Sequence, residues 1–336
     1  MEDKMIRWGI IGCGNVTEVK SGPAFKKVPN SRLVAVMRRN AEKARDYAER
    51  HRVDKWYNNA SELINDPAVN AIYIATPPVY HEQYAVEALH SGKPVYVEKP
   101  MAVDSRAAER MAAVVAETGV KLSVAHYRRQ QPLFLKIKSM LEEKVIGEIR
   151  MVNMQLFQPH GDSNMIAQTE ENWRIKPDIS GGGLFYDLAP HQLDLMLYFF
   201  GKPKHVAGIS FNAFQLYGAD DTTSGQILFE GNILFNGSWC FNFPEYRDSC
   251  QIIGEMGSIN FSILDHQPIK LIRQGKESKL EFEKLEHVQL PMIDNVVQYF
   301  LGNNSNPCSA TEGVEVMKMM EGLTSVPMQQ GTSSIR

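Results

Sequence analysis

The sequence has few cysteines and almost no excess of either charge. Of its 336 residues only four are cysteines, and they are widely spaced: Cys13, Cys240, Cys250 and Cys308. They form no CxxC pair and no zinc spacing, so we expect reduced thiols, no metal site and a cytoplasmic protein. The formal net charge of −3 gives no electrostatic case for binding nucleic acid or a membrane surface.

Long apolar runs are also missing. None approaches the ~18 residues that a membrane span requires. The polar, charged residues 1–7 do not have the pattern of a signal peptide. Hydrophobic residues make up 43% of the chain and charged residues 22%, which is an ordinary globular balance. The length predicts ~2 domains.

Short apolar runs alternate with helical stretches in the first third of the chain. The expected strands are 6–11, 33–37, 71–75, 95–97 and 122–125, and the expected helices include 41–52, 80–91 and 105–117. Val-, Ile- and Ala-rich runs separated by helices of ~10–15 residues are typical of βαβ units. We therefore expect a first domain with a buried parallel sheet over residues 1–125.

The pattern changes after about residue 129. The expected elements are helices at 132–143 and 184–200, strands at 148–157, 205–215, 222–229, 232–241, 250–253, 258–261 and 269–272, and closing helices at 292–301 and 311–323. Successive strands usually pair antiparallel. We expect a second α/β domain over 126–324, with helices on one face of an open, mostly antiparallel sheet, and a polar tail over 325–336. The uncovered face predicts a homodimer or homotetramer.

A glycine-rich turn follows the first expected strand, in the segment Gly9–Thr17. Gly12 permits a tight turn, and Gly14 lets the backbone approach a pyrophosphate at the start of a helix. Thr17 stands where the usual pattern has Gly or Ala. After the first strand of a βαβ series, this turn predicts a dinucleotide site; an ordinary strand-to-helix turn is the alternative.

The end of the second expected strand has two arginines where a carboxylate normally holds the adenosine ribose of NAD. The segment reads Val36-Met37-Arg38-Arg39-Asn40. A guanidinium pair suits a 2′-phosphate. Arg38 and Arg39 therefore favour NADP over NAD, the alternative being a solvated basic pair.

Glu98-Lys99-Pro100 places opposite charges at the carboxyl end of a buried strand, where ligands bind in open α/β sheets. Lys99 can stabilise a developing oxyanion as a fixed cation. The alternative for this tripeptide is a surface ion pair.

Asp187, His191 and Asp194 lie at positions i, i+4 and i+7 of the 184–200 helix, so they share one stripe. Histidine is the residue type whose side chain ordinarily gains and loses a proton near neutral pH, so His191 is the candidate proton carrier of this stripe. Three glycines precede the helix at 181–183. A hydrogen-bonded core histidine is the alternative interpretation.

Taken in order, these motifs resemble the glucose–fructose oxidoreductase/inositol dehydrogenase (Gfo/Idh/MocA) family. The resemblance covers nearly the whole chain and includes Ala75-Thr-Pro-Pro78 with His81, Trp173-Arg174 and the 181–194 cluster. It implies an N-terminal Rossmann domain, a C-terminal open sheet domain and an NAD(P)-dependent oxidoreductase that acts on a sugar, polyol or cyclic alcohol.

The resemblance also implies roles for individual residues. Lys99, Asp187 and His191 match the catalytic lysine, aspartate and histidine of the family. The implied cofactor-binding residues are Gly12, Gly14, Asn15, Val16, Arg38, Arg39, Thr76, Pro77, His81, Glu98 and Lys99. The implied substrate-binding residues are Arg129, Trp173, Arg174, Asp187 and Asp194. Ala189-Pro190 departs from the glycine that often precedes the family's histidine.

The resulting hypothesis is reversible hydride transfer between NADP(H) and a carbinol carbon. His191 would donate or accept the proton, and Lys99 would stabilise the alkoxide. The alternatives are a dihydrodiol-type dehydrogenase and a non-catalytic NAD(P)-binding regulator of the same fold. The segment 157–164 is expected to border the substrate pocket.

Overall fold

A computed structural model describes residues 5–159 and 172–327, which fall into two compact units. The first comprises Met1–Ser139 and Phe282–Met317, and the second comprises Met140–Glu281 and Lys318–Arg336. Part of the predicted 325–336 tail, residues 328–336, and residues 160–164 of the predicted pocket segment lie outside the described residues.

Six parallel strands form the sheet of the first unit, in the order β3-β2-β1-β4-β5-β6. The strands are β1 (Ile6–Ile11), β2 (Ser31–Met37), β3 (Lys55–Tyr57), β4 (Ala71–Ile74), β5 (Val95–Val97) and β6 (Leu122–Val124). The helices are α1 (Asn15–Val19), α2 (Ala24–Lys27), α3 (Ala41–His51), α4 (Ala60–Asn65), α5 (His81–His90), α6 (Ser105–Thr118) and α7 (Pro132–Glu142), the last crossing into the second unit. The predicted parallel sheet is confirmed.

Strand β3 and helix α4 are absent from the sequence-based prediction. Strand β3 is a three-residue edge strand on which Lys55 and Trp56 are exposed, so it has no apolar run to detect. The order of the sheet brings the carboxyl ends of β1, β2, β4, β5 and β6 to one edge, because parallel strands all end on the same side. The predicted cofactor residues follow these strand ends.

A nine-stranded sheet forms the second unit, in the order β14-β13-β12-β11-β7-β10-β9-β8-β15. Its strands are β7 (Ile149–Phe157), β8 (Pro203–Phe211), β9 (Thr222–Phe229), β10 (Leu234–Cys240), β11 (Arg247–Gly254), β12 (Gly257–Phe261), β13 (Ile269–Arg273), β14 (Lys276–Leu280) and β15 (Val326–Pro327). Neighbouring strands are antiparallel except in the parallel pairs β7–β10 and β8–β15. The predicted open, mostly antiparallel sheet is confirmed.

The later helices are α8 (Pro177–Ser180), α9 (Leu184–Phe200), α10 (Leu290–Phe300) and α11 (Ala310–Thr324). Helix α9 packs on the buried face of the second sheet, with the Phe185 ring 5.0 Å from that of Trp239. The Trp239 indole also donates to Gln192 Oε1 at 3.3 Å. The C-terminal part of α11 covers the same face at Leu323.

The compact units differ from the predicted domains 1–125 and 126–324. Residues 282–317 belong to the first unit because α10 packs on α2 and on the 3-10 turn Tyr127–Gln130. An apolar helical pattern shows that a helix must be buried, but not which sheet it returns to. The division at residue 125 therefore misses this return of the chain.

None of the helices in residues 5–159 and 172–327 combines the length and apolar character of a membrane span.

Close packing of α11 on the second sheet depends on Gly225 of β9. A Cβ there would lie 2.5 Å from the carbonyl oxygen of Ala207 and 2.5 Å from Leu323 Cδ2. Because overpacking costs ~1–3 kcal/mol, Gly225→Ala should lower the free energy of unfolding by about this amount. At the control position Gly218 an added Cβ has nothing within 4 Å, so Gly218→Ala should change little. Equal urea midpoints for the two variants would contradict this packing.

Candidate functional site

The glycine-rich turn joins β1 to α1 at the carboxyl edge of the first sheet. Gly12 has a φ of +94°, and its Cβ would lie 2.7 Å from Thr76 Cγ2, so only glycine fits. The N–H groups of Gly12 and Cys13 both donate to the Met37 carbonyl, at 2.9 and 3.1 Å. A Cβ on Gly14 would meet nothing nearer than the Gly12 carbonyl at 3.9 Å. The space beside Gly14 is therefore open to a ligand.

Thr17, the departure from the usual pattern, is fully buried inside this turn. Its hydroxyl donates to the Gly14 carbonyl at 2.8 Å, and its own carbonyl accepts from the Tyr47 hydroxyl of α3 at 2.8 Å. The threonine is thus accommodated by local hydrogen bonds. The predicted cofactor residues Asn15 and Val16 form the first turn of α1.

Arg38 and Arg39 follow β2 beside the turn, and their side chains take separate positions. Half-buried Arg38 donates through Nη1 to the Cys13 carbonyl at 3.3 Å. Exposed Arg39 donates through Nη1 to the Tyr80 hydroxyl at 3.1 Å, and its guanidinium carbon lies 4.7 Å from the centre of that ring. Burial raises the pKa of the Cys13 thiol to about 12, so this cysteine is not a nucleophile.

His81 ties the loop after β4 to the turn after β5. Its ring is fully buried, with Nε2 2.7 Å from the Thr76 carbonyl and Nδ1 3.0 Å from the Pro100 carbonyl. Burial lowers the pKa of His81. A ring with no exposed surface does not touch a cofactor, so His81 positions two turns instead. The Lys99–Pro100 peptide bond is cis.

Thr76 and Pro77 lie half-buried at the same edge. The Thr76 hydroxyl is buried and has no hydrogen-bond partner within residues 5–159 and 172–327. A buried hydroxyl normally has a partner, and a bound cofactor is one way to supply it.

Glu98 belongs to a buried network rather than to a ligand surface. Only 6% of the residue is exposed. Its Oε1 accepts from the Tyr73 hydroxyl at 2.5 Å and from Gln289 Nε2 at 2.7 Å, and its Oε2 accepts from the Lys99 N–H at 3.2 Å. Glu98 therefore has a structural role, and its cofactor contact stays a prediction. Lys99 itself is half-buried after β5.

In the second unit a glycine turn sets the start of α9. Gly181 and Gly183 have φ values of +92° and +80°, and a Cβ on Gly183 would lie 2.3 Å from that of Ala219. The Ser180 hydroxyl accepts the Gly183 N–H at 2.8 Å. Helix α9 therefore begins at Leu184, which places Asp187 in its first turn.

Asp187 is paired with a residue that the sequence placed near the substrate. Arg174 Nε donates to Asp187 Oδ2 at 3.0 Å, and the Arg174 guanidinium lies 4.6 Å from the Trp173 ring centre. The buried Asn172 side chain accepts the Arg174 N–H at 3.2 Å. The second unit thus brings Trp173, Arg174 and Asp187 together. Asn172 was not predicted, since a lone Asn carries no signal.

His191 lies one turn beyond Asp187 and is 7% exposed. Helix α9 runs unbroken through Pro190, although proline has no N–H to donate to the carbonyl four residues earlier. The departure at Ala189-Pro190 therefore does not interrupt the helix before His191. Asp194 is 1% exposed, which leaves almost no surface for the expected substrate contact.

Arg129 is also too buried for its expected substrate role. It is 1% exposed, and its Nη1 pairs with the Glu312 carboxylate, which also accepts from the Ser309 N–H at 2.8 Å. The neighbouring Arg128 is half-buried, and its Nε has no hydrogen-bond partner among the described residues. Arg128 is therefore the more accessible cation of the two.

Comparison with known proteins places both halves of the chain in one family. Residues 6–126 match the model of the GFO/IDH/MocA oxidoreductase family, NAD-binding Rossmann fold, and residues 134–260 match that of the GFO/IDH/MocA C-terminal domain. Oxidoreductase P35 of Formosa agariphila is 48% identical over 319 residues, covering 95% of this chain and 98% of that protein.

More distant relatives have named substrates. A 1,5-anhydro-D-fructose reductase of Ensifer adhaerens is 25% identical over 79% of this chain and 78% of its own. The solved structure of a levoglucosan dehydrogenase in complex with NADH and levoglucosan superposes with a TM-score of 0.84, covering 95% of this chain and 96% of that one at 19% identity. This last likeness establishes the fold.

The Arg129–Glu312 pair makes a testable contribution to stability. Burial raises the pKa of Glu312, but the Arg129 guanidinium and the hydrogen bonds from Ser309 together outweigh it and hold the pKa below its usual range. Glu312→Gln removes the negative charge that faces the buried Arg129 guanidinium and should lower the free energy of unfolding by about 1–3 kcal/mol, less than for a fully buried pair because the Glu312 side chain is 37% exposed. A lowered carboxyl pKa stabilises the fold above its unfolded value of ~4.3. The difference in free energy of unfolding between wild type and Glu312→Gln should therefore be largest at neutral pH and decrease on acidification.

Urea denaturation at several pH values measures this difference. The exposed Arg110–Glu82 pair, at 2.5 Å, supplies the control, and Glu82→Gln should cost under ~1 kcal/mol. A Glu312→Gln effect that is independent of pH would contradict the pairing.

Proposed function

The chain belongs to the GFO/IDH/MocA oxidoreductase family, and we propose that it transfers a hydride reversibly between NADP(H) and a hydroxyl-bearing carbon of a sugar, polyol or related cyclic alcohol. Family membership makes it an NAD(P)-dependent oxidoreductase. The observation that carries the proposal is the α9 stripe, where Asp187 is fixed by Arg174 and followed one turn later by His191. The relative that reduces 1,5-anhydro-D-fructose supports a sugar-like substrate.

The residues at the carboxyl edge of the first sheet fit a dinucleotide. Gly14 leaves open space beside the turn. The buried Thr76 hydroxyl has no hydrogen-bond partner among the described residues, so a bound cofactor could supply one. Arg38 and Arg39 suit a 2′-phosphate. When bound, the nicotinamide gives or takes the hydride.

The protein's own residues handle the proton and the charge on the reacting oxygen. In the oxidation direction, His191 accepts the proton of the substrate hydroxyl; in reduction it returns that proton to the new alkoxide. Lys99 donates a charge-assisted hydrogen bond to the same oxygen and stabilises its negative charge. Asp187, held by Arg174, orients a neighbouring hydroxyl or the imidazole.

A cofactor-oxidation assay tests the proposed reaction. NADPH consumption is followed with 1,5-anhydro-D-fructose, keto-inositols and keto-sugars, and NADP⁺ reduction with a trans-dihydrodiol. We expect turnover with a sugar-type ketone. NADPH binding without any turnover would contradict the proposal and favour the regulator, and turnover of the dihydrodiol alone would change the substrate class.

Two substitutions test the assigned catalytic groups. His191→Asn removes the proton carrier and Lys99→Met removes the oxyanion donor, so each should lower kcat by roughly 100-fold. The NADPH dissociation constant should stay within a few-fold of wild type, as fluorescence titration measures. His90→Asn, at an exposed histidine that ends α5, is the control and should keep wild-type kcat. Wild-type turnover in His191→Asn would refute its role.

The two arginines after β2 test the cofactor preference. A charge-assisted bond to the 2′-phosphate contributes ~1.5–3 kcal/mol, or about 10- to 150-fold. Arg38→Asp and Arg39→Asp should each lower kcat/KM with NADPH on this scale and spare NADH. Gly14→Val is the control, because its side chain would occupy the open space and should abolish binding of both cofactors. Equal use of NADH and NADPH by wild type would contradict the preference.

The outer face of the second sheet supports self-association as a homodimer or homotetramer. Neutral polar side chains connect its strands β9, β10 and β7, with Gln226 donating to Asn236 and Asn236 to Asn153 at 2.9 and 3.1 Å. Ile209 of β8 is 44% exposed there. Interface cores are depleted of charge.

Ile209→Asp should therefore shift the mass measured by light scattering toward the monomer. Leu135→Asp, at a similarly exposed apolar side chain on α7, is the control and should not. A monomeric wild type would contradict self-association.

A further inference from the structure

The segment that leads back into the first unit is hydrogen-bonded to that unit at successive residues. The buried His287 places Nδ1 2.8 Å from the Val19 carbonyl at the end of α1. The Gln131 side chain donates to the Val288 carbonyl at 3.1 Å. Gln289 comes next, directly before α10, and is 1% exposed. This return segment, residues 287–289, therefore has a fixed place in the unit.

The oxygen and the nitrogen of the Gln289 side-chain amide are both hydrogen-bonded. Its Oε1 accepts from the Tyr96 hydroxyl of β5 at 3.3 Å, and its Nε2 donates to Glu98 Oε1 at 2.7 Å. The opposite orientation of the amide would place its oxygen against a carboxylate. The network therefore fixes the direction in which Gln289 points.

Glu98 transmits this contact to Lys99. Its carboxylate is buried, and a buried carboxylate must be hydrogen-bonded to remain charged at low cost. Tyr73 and Gln289 donate to one oxygen, while the Lys99 N–H donates to the other. A shift of the carboxylate would therefore move the backbone from which the Lys99 side chain extends.

We propose that Gln289 is a positioning residue for Lys99, acting through the Glu98 carboxylate. The inference rests on the proposed role of Lys99 in stabilising the substrate oxygen. A displacement of about 1 Å in a catalytic group costs up to ~100-fold in rate. Gln289 should therefore affect kcat although it lies on the return segment and is linked to Lys99 through Glu98.

Two variants test this at the amide. Gln289→Met removes the donor with little change in size, and kcat should fall ~10- to 100-fold at every pH. Gln289→Glu places a second carboxyl beside Glu98, and such a pair keeps one shared proton to a raised pH. Its kcat should be low at neutral pH and recover on acidification, because the shared proton restores a hydrogen bond. The KM for NADPH should stay within a few-fold in both.

Other titratable groups lie around Glu98 and the side chain at position 289, and they contribute to the pH dependence of kcat in every variant. They are Tyr73 of β4, Tyr96 of β5, His81 of α5 and Lys99. Burial raises the pKa of both tyrosines and lowers that of His81. Wild type and Gln289→Met contain the same groups. A recovery of kcat on acidification that occurs only in Gln289→Glu is therefore attributable to the new carboxyl.

Gln131→Met is the matched control, since it removes another side-chain amide bond to the return segment without touching Glu98. It should lower the melting temperature and leave kcat unchanged. An unchanged kcat in Gln289→Met, or an equal loss of kcat in Gln131→Met, would overturn the inference. Lys99→Met separates this failure from that of the proposed function. A fully active Lys99→Met variant would refute the proposed role of Lys99. An inactive Lys99→Met variant together with a normal Gln289→Met variant would refute only the positioning role of Gln289.

Discussion

The buried carboxylate of Glu98 joins three separate parts of the first unit. Strand β4 supplies the Tyr73 hydroxyl, the return segment supplies the Gln289 amide, and the Lys99 backbone supplies an N–H. Leaving a buried carboxylate without partners costs several kcal/mol of folding free energy. The three hydrogen bonds to Glu98 therefore hold the strand, the return segment and the Lys99 backbone in one arrangement. The turn that carries Lys99 is thus held by a strand and by a segment 191 residues away in sequence.

In the second unit, close packing at a glycine sets the start of α9 instead. Gly183 touches Ala219 and adopts a left-handed φ, which sets the first residue of α9. The helix then carries Asp187 and His191 at their spacing on one side, while Phe185 and Gln192 pack on Trp239. Helices cover one face of the sheet, and the outer face carries polar side chains such as Gln226 and Asn236.

Arginines that look alike in the sequence have different roles in the structure. Arg129 neutralises Glu312 inside the first unit, and Arg174 fixes Asp187 in the second. Arg38 donates to the glycine-rich turn, whereas Arg39 lies against Tyr80 near the surface. Burial decides between these roles, since a buried guanidinium needs a partner while an exposed one can meet a phosphate.

The sequence by itself determined five of the six strands of the parallel sheet, all but β3, together with the glycine-rich turn and the bounds of α9, because these depend on periodicity and on local backbone conformation. It also predicted the family, since several motifs recur in order. Only the tertiary structure decided that residues 282–317 return to the first unit, that Glu98, His81 and Arg129 are buried, and that Gln289 contacts Glu98. These features depend on contacts between residues far apart in the chain, and a local pattern records that a side chain is polar or apolar but not which partner it meets.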